Sequence, residues 1–158
     1  MNSELLYVFG TGNATVTNLY NTCFALRDGD EYFMVDAGGG NGILKILDNM
    51  QVPLNRIHHI FVTHGHTDHI LGIIWMVRMI ATKMLKDKYE GDAYIYCHED
   101  LIETLDTLCR LTLQKKHYDM LGKRIHLEAV KDGETRHILS YNVTFFDIHS
   151  TKLKQFGF

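Results

Sequence analysis

The sequence predicts an α/β sandwich in which helices cover a mixed sheet, and three observations carry that prediction. The first third of the chain reads as strands joined by tight turns, and the remainder alternates strand-like with helix-like runs. One proline in 158 residues, with 46% hydrophobic and 22% charged residues, marks a folded globule rather than a disordered or fibrous chain. That length suits one domain, since such a chain buries roughly two-thirds of its unfolded surface, and residues 1–158 are assigned to a single domain.

The opening run 5–9 is apolar and strand-like, and 22–27 and 32–35 flank the turn Asp28-Gly29-Asp30 as a hairpin. A glycine-rich break, Asp36-Ala37-Gly38-Gly39-Gly40-Asn41-Gly42, precedes a short helix over 43–50, which Pro53 closes off. Residues 57–62 form the next strand. The long run 70–86 carries apolar residues at helical spacing and reads as a mostly buried helix. Strand 93–97, helix 99–113 and strand 125–130 follow, then a turn at Lys131-Asp132-Gly133 and a last clear strand over 142–148. Residues 155–158 read as the start of one more strand. The chain therefore stops inside an apolar pattern, which suggests a C-terminally truncated domain.

The formal net charge of −3 gives no general attraction to nucleic acid, and the lysines at 83, 86, 88, 115 and 116 read as solvated helix faces. Cys23, Cys97 and Cys109 have neither zinc nor redox spacing, and an odd count suits reduced, buried thiols. No signal peptide is read at the start, and the apolar run 70–80 is far shorter than the roughly 20 residues that cross a bilayer. A cytoplasmic protein with no membrane partner is expected.

Histidine is the unusual component: ten are present, three of them within His64-Gly65-His66-Thr67-Asp68-His69. His64 and His66 lie two apart at a strand end, so both imidazoles point to one side and offer neutral nitrogens to one metal. Asp68 and His69 fall at the loop-to-helix junction, where they would face a second metal, and Asp68 is also placed as a helix N-cap. Gly65 leaves room for a tight loop. The plainer alternative is that these histidines only cap a helix and hydrogen-bond in a loop.

Residues 57–63 followed by His64–His69, Ile70, Leu71 and Gly72 resemble the strand-loop-helix metal signature of the metallo-β-lactamase superfamily. Phe33-Met34-Val35-Asp36-Ala37-Gly38-Gly39-Gly40 is similar to its second hallmark, a strand ending in an aspartate and glycines. Gly10-Thr11-Gly12-Asn13-Ala14 and Asn21-Thr22-Cys23 look like the start of the ribonuclease Z-like branch. Phe145-Phe146-Asp147-Ile148-His149-Ser150 with Phe156-Gly157-Phe158 looks like its third metal motif. The resemblance implies a four-layer αββα sandwich, of which this chain covers the first half and the transition to the second. It implies metal ligation by His64, His66, Asp68, His69 and His149, with two Zn²⁺ in the complete site and Mn²⁺ or Fe²⁺ as substitutes. The bridging aspartate and further histidine of the family lie beyond the residues present.

The function so implied is a ribonuclease Z-like phosphodiesterase that uses a metal-activated water, with Asp68 in the catalytic role and a small phosphodiester or RNA as substrate. Hydrolysis of a lactone, thioester or β-lactam is the alternative within the superfamily, and a catalytically incomplete metal-binding fragment is the third reading. A half-fold exposes sheet surface, so self-association into a homo-oligomer is expected. Asp36 is expected to support the metal loop by accepting hydrogen bonds from it. His58, His59, His98, His117, His126 and His137 are assigned structural roles, with His98 either capping the following helix or lining the cleft.

Overall fold

A computed structural model describes residues 4–158. Six strands form one sheet in sequential order: β1 (Leu5–Gly10), β2 (Cys23–Asp28), β3 (Glu31–Val35), β4 (Ile57–Phe61), β5 (Ala93–His98) and β6 (Ile125–Val130). The first three pair antiparallel and the last four parallel. Parallel neighbours need crossovers, and these are supplied by α1 (Gly42–Asn49), α2 (Thr67–Met84) and α3 (Glu99–Thr112), with a short α4 (Lys115–Tyr118) after the last.

The period of two along the strands divides the interior into two cores. Tyr32 and Met34 of β3 join the helix-side cluster with Ile57, Ile60, Ile73, Met76, Val77 and Ile80. Their neighbours Phe33 and Val35 turn to the opposite face and pack with Phe61, Tyr96, Phe145 and Phe156. α2 is the central helix: nine of its residues are buried, and it touches α1, α3 and α4.

The helix-free face of the sheet is covered by two short ribbons, β7 (Thr135–Ile138) with β8 (Tyr141–Thr144), and β9 (Phe146–Asp147) with β10 (Phe156–Gly157). Phe158 adds its ring to Phe24, Phe33 and Phe61. One helix layer, one complete sheet and the beginning of a second strand layer match the expected first half and transition of the αββα sandwich.

Among the strands, two differ from the sequence reading. The single strand expected over 142–148 is divided at Phe145, because β8 pairs with β7 whereas β9 pairs with β10. Between them the Phe145 ring is fully buried and packs on Phe61 at 4.9 Å. β7 itself went unread: Thr135-Arg136-His137-Ile138 has little apolar alternation, and its hairpin turns through Leu139 at φ +54° without a glycine or asparagine signal.

Candidate metal centre

The parallel strands direct their C-terminal ends to one edge of the sheet, the usual place for a site in an open α/β fold. Asp36 follows β3 there, and Thr63 and His64 follow β4. α2 begins at Thr67, and its N-cap position is His66, so Asp68 lies in the first helical turn and is not the N-cap. That corrects the expected capping role. Asp68 remains favourably placed, because a carboxylate in the first turn complements the positive end of the helix dipole. The close seating of α2 depends on Gly72, where any Cβ would be driven into the Ala37 carbonyl. Gly65 sits against the Leu101 side chain, a contact that can move.

Asp36 organises the loop. Its backbone is left-handed at φ +56°, its residue is almost fully buried, and its carboxylate accepts three hydrogen bonds. Thr63 N–H donates to Oδ1 at 2.8 Å, the Thr63 hydroxyl donates to Oδ2 at 2.7 Å, and His69 Nδ1 donates to Oδ2 at 2.7 Å. Thr63 has one hydroxyl proton and spends it on Asp36, so its oxygen can only accept from His64 Nδ1, 2.8 Å away. The tautomers of both histidines follow: each carries its proton on Nδ1 and is left with Nε2 for a metal. Asp36 was anticipated in this supporting role. Thr63 was missed, and its only sequence signal is its place between the strand and the first motif histidine.

The motif side chains are gathered. The ring of His64 lies 4.7 Å from that of His66 and 4.1 Å from that of His69, and His69 Nε2 is 3.3 Å from Asp68 Oδ2. Burial and the adjoining His69 push the His64 pKa down to about 4, so its ring is neutral near pH 7. For His69, burial acts against the charged form but is outweighed by the hydrogen bond and charge of Asp36 and the charge of Asp68, and its pKa lies above the ordinary value. These donors suit a divalent metal in kind and tautomer, and a bound cation would have to displace the second proton that the raised pKa of His69 favours.

His149 stands apart from the other four. It follows β9 with a left-handed backbone at φ +55° and a side chain that is 83% exposed, and its backbone N–H donates to Asp147 Oδ1. Among the described residues, no group of three His, Cys, Asp or Glu side chains is drawn together closely enough to hold a metal.

The remaining histidines hold structural contacts. His58 Nδ1 lies 2.9 Å from the Asp92 carbonyl, His59 stacks on Tyr94, His117 meets Thr82, His126 meets Asp92, and His137 meets Asn142. His98 occupies the N-cap position of α3 but makes no side-chain cap bond. Two further residues outside the motif clamp the glycine loop. The Tyr20 hydroxyl reaches the carbonyls of Ala37 and Gly40, and Asn21 Oδ1 accepts from Gly39 N–H. The three cysteines are free and buried, as expected. No helix among the described residues is long and apolar enough to cross a membrane.

A mixed sheet with helices on one face, strand ribbons on the other, and this motif at its C-terminal edge defines a metallo-β-lactamase-fold protein. Within that class the chain belongs to the family described as Anti-Pycsar protein Apyc1, whose family model matches residues 5–158. It is 30% identical over 134 residues to ribonuclease Z of Thermococcus sibiricus, covering 84% of this chain and 39% of that protein. It is 28% identical over 148 residues to ribonuclease Z of Synechocystis sp., covering 92% and 41%. The ribonuclease Z likeness read from the sequence therefore holds, and the chain spans about two-fifths of the length of these curated relatives. Among solved structures, the metallo-β-lactamase fold protein YhfI from Bacillus subtilis matches at TM-score 0.72 and 21% identity, over 96% of this chain and 56% of that one. The short form of human tRNase Z matches at 0.67 and 19%, over 96% and 62%.

Proposed function

We propose that this chain carries the motif-bearing half of a metal-dependent hydrolase that cleaves phosphodiesters in the manner of ribonuclease Z. The observation that carries the reading is the Asp36–Thr63 hydrogen-bond set, which engages Nδ1 of both His64 and His69 and so assigns metal binding to their Nε2 atoms. The ribonuclease Z relatives support phosphodiester chemistry over acyl transfer.

His64 and His66 would hold one metal and Asp68 and His69 a second, with His149 as a further ligand of the first. Zinc suits the imidazole-rich first position, and manganese or iron suits a position with more carboxylate. Bound there, the metal pair supplies a water acidified toward neutrality and a Lewis acid for the substrate oxygen. Asp36 fixes the rings of His69 and, through Thr63, His64. Asp68 contributes its carboxylate and handles the proton delivered to the leaving oxygen. The substrate is a small phosphodiester or RNA, the protein works in the cytoplasm, and it self-associates.

Hydrolysis of bis-p-nitrophenyl phosphate by the zinc-loaded protein tests this, measured beside lactone and thioester panels. Diester cleavage that is lost on chelation and in Asp68→Asn supports the proposal. Turnover of the acyl substrates alone overturns it.

A further inference from the structure

His98 is the last residue of β5 and stands beside the metal loop. The pairing of β4 with β5 runs through Phe61↔Tyr96, and Val62 N–H continues it to the Tyr96 carbonyl. Carried onward, that register sets His98 level with Thr63, whose carbonyl accepts the Phe156 N–H. The His98 ring lies 5.6 Å from the Phe156 ring, at the base of the 147–156 segment that carries His149.

His98 is 3% exposed, yet neither ring nitrogen has a hydrogen-bond partner. Buried polar atoms without partners cost stability and are uncommon in folded chains. Burial, followed by the nearby Lys154 ammonium, lowers its pKa, so the ring is neutral and has one donor and one acceptor to offer. The Lys154 backbone faces the ring without completing a hydrogen bond. Meanwhile Lys154 Nζ tethers the segment to the start of α3 through Asp100, at 3.1 Å, and Glu99. The loop is closed at its base by Ile148 N–H donating to the Gln155 carbonyl, and His149, directly after that closure, faces solvent.

We propose that His98 is a positioning residue, the buried anchor onto which the 148–155 loop settles when His149 turns in to join His64 and His66. The inference rests on the metal-centre reading above. Metal binding and loop settling then favour one another, because the settled loop gives the His98 nitrogens the backbone partners they lack here. A phenylalanine would fill the same space against Phe156 and remove the unpaired nitrogens, but it would offer the loop no partner.

The test is zinc titration calorimetry on the parent protein, His98→Phe, His98→Gln and His66→Ala, with thermal melts of the metal-free forms and amide hydrogen exchange of 148–155 in the parent. His98→Phe is expected to melt at or above the parent temperature yet bind zinc at least tenfold more weakly, and His98→Gln to recover most of the loss. Exchange in the parent loop is expected to slow on adding zinc. Parental zinc affinity in His98→Phe, no recovery by His98→Gln, or loop exchange indifferent to zinc each overturns the proposal. If His66→Ala also keeps parental affinity, the metal-centre reading falls with it. If His66→Ala loses zinc while His98→Phe does not, only the role of His98 falls.

Discussion

Asp36 Oδ2 stands 2.7 Å from His69 Nδ1, and that bond decides which imidazole nitrogen His69 can turn toward a metal. Asparagine tolerates the left-handed backbone of position 36 but carries no charge. Asp36→Asn should therefore lose about 1–3 kcal/mol of stability, because its amide NH2 meets donors from which the carboxylate accepts, while its zinc affinity falls roughly 10- to 100-fold, the usual loss when such a supporting carboxylate is removed. Calorimetric titration checks this, and unchanged affinity would remove Asp36 from the account.

Gly72→Ala tests the seating of α2 on the Ala37–Gly38 backbone. The added methyl meets a main-chain carbonyl that cannot swing aside, so the variant should lose at least about 2 kcal/mol in urea unfolding. Gly65→Ala meets only the end of the Leu101 side chain and should lose less than half as much.

Tyr20→Phe removes the hydroxyl that reaches the Ala37 and Gly40 carbonyls. A loss of about 1 kcal/mol is expected, together with faster amide exchange in the 37–40 loop. Loss of stability without faster exchange there would show that the hydroxyl does not hold the loop.

Acid should destabilise the metal-free protein early. Burial, then His58, holds the His59 pKa down to about 4, and burial, then His69, does the same for His64. A histidine whose folded pKa lies below its unfolded value near 6.5 contributes stability above pH 6.5 and loses it as pH falls through about 4. After discounting for partial exposure, each contributes on the order of 1–2 kcal/mol. His69, raised instead, gains its contribution as pH falls toward 6.5 and so offsets the loss only at the upper end of the window; below 6.5 it contributes fully and no longer changes. Thermal melts from pH 7 to 4 should fall steadily, and a flat profile would contradict the burial argument.

The sequence foretold the sheet order least and the motif most. Strand β3 was legible because Tyr32, Phe33, Met34 and Val35 are buried on both faces and read as an unbroken apolar run, and β4 to β6 because apolar residues such as Ile57, Ile60, Ile95 and Ile125 anchor them to the core although histidines and a glutamate interrupt β4 and β6. β7 was invisible because its ribbon lies on the outside and needs only Ile138 for the core. The side chains that the structure gathers were legible where a motif draws attention to them, at His64, His66, Asp68 and His69, and at Asp36. Thr63 and His98 were not, since a hydroxyl that relays a tautomer and an imidazole that lacks a partner are defined by three-dimensional neighbours alone.

The central claim is that His64, His66, Asp68 and His69 bind metal. It is tested most directly by metal content per chain, measured by plasma mass spectrometry on protein purified without chelator or added metal, beside His66→Ala. Near-stoichiometric zinc in the parent that is lost in the variant is the predicted result. A parent without bound metal, or a variant that retains it, would contradict the claim.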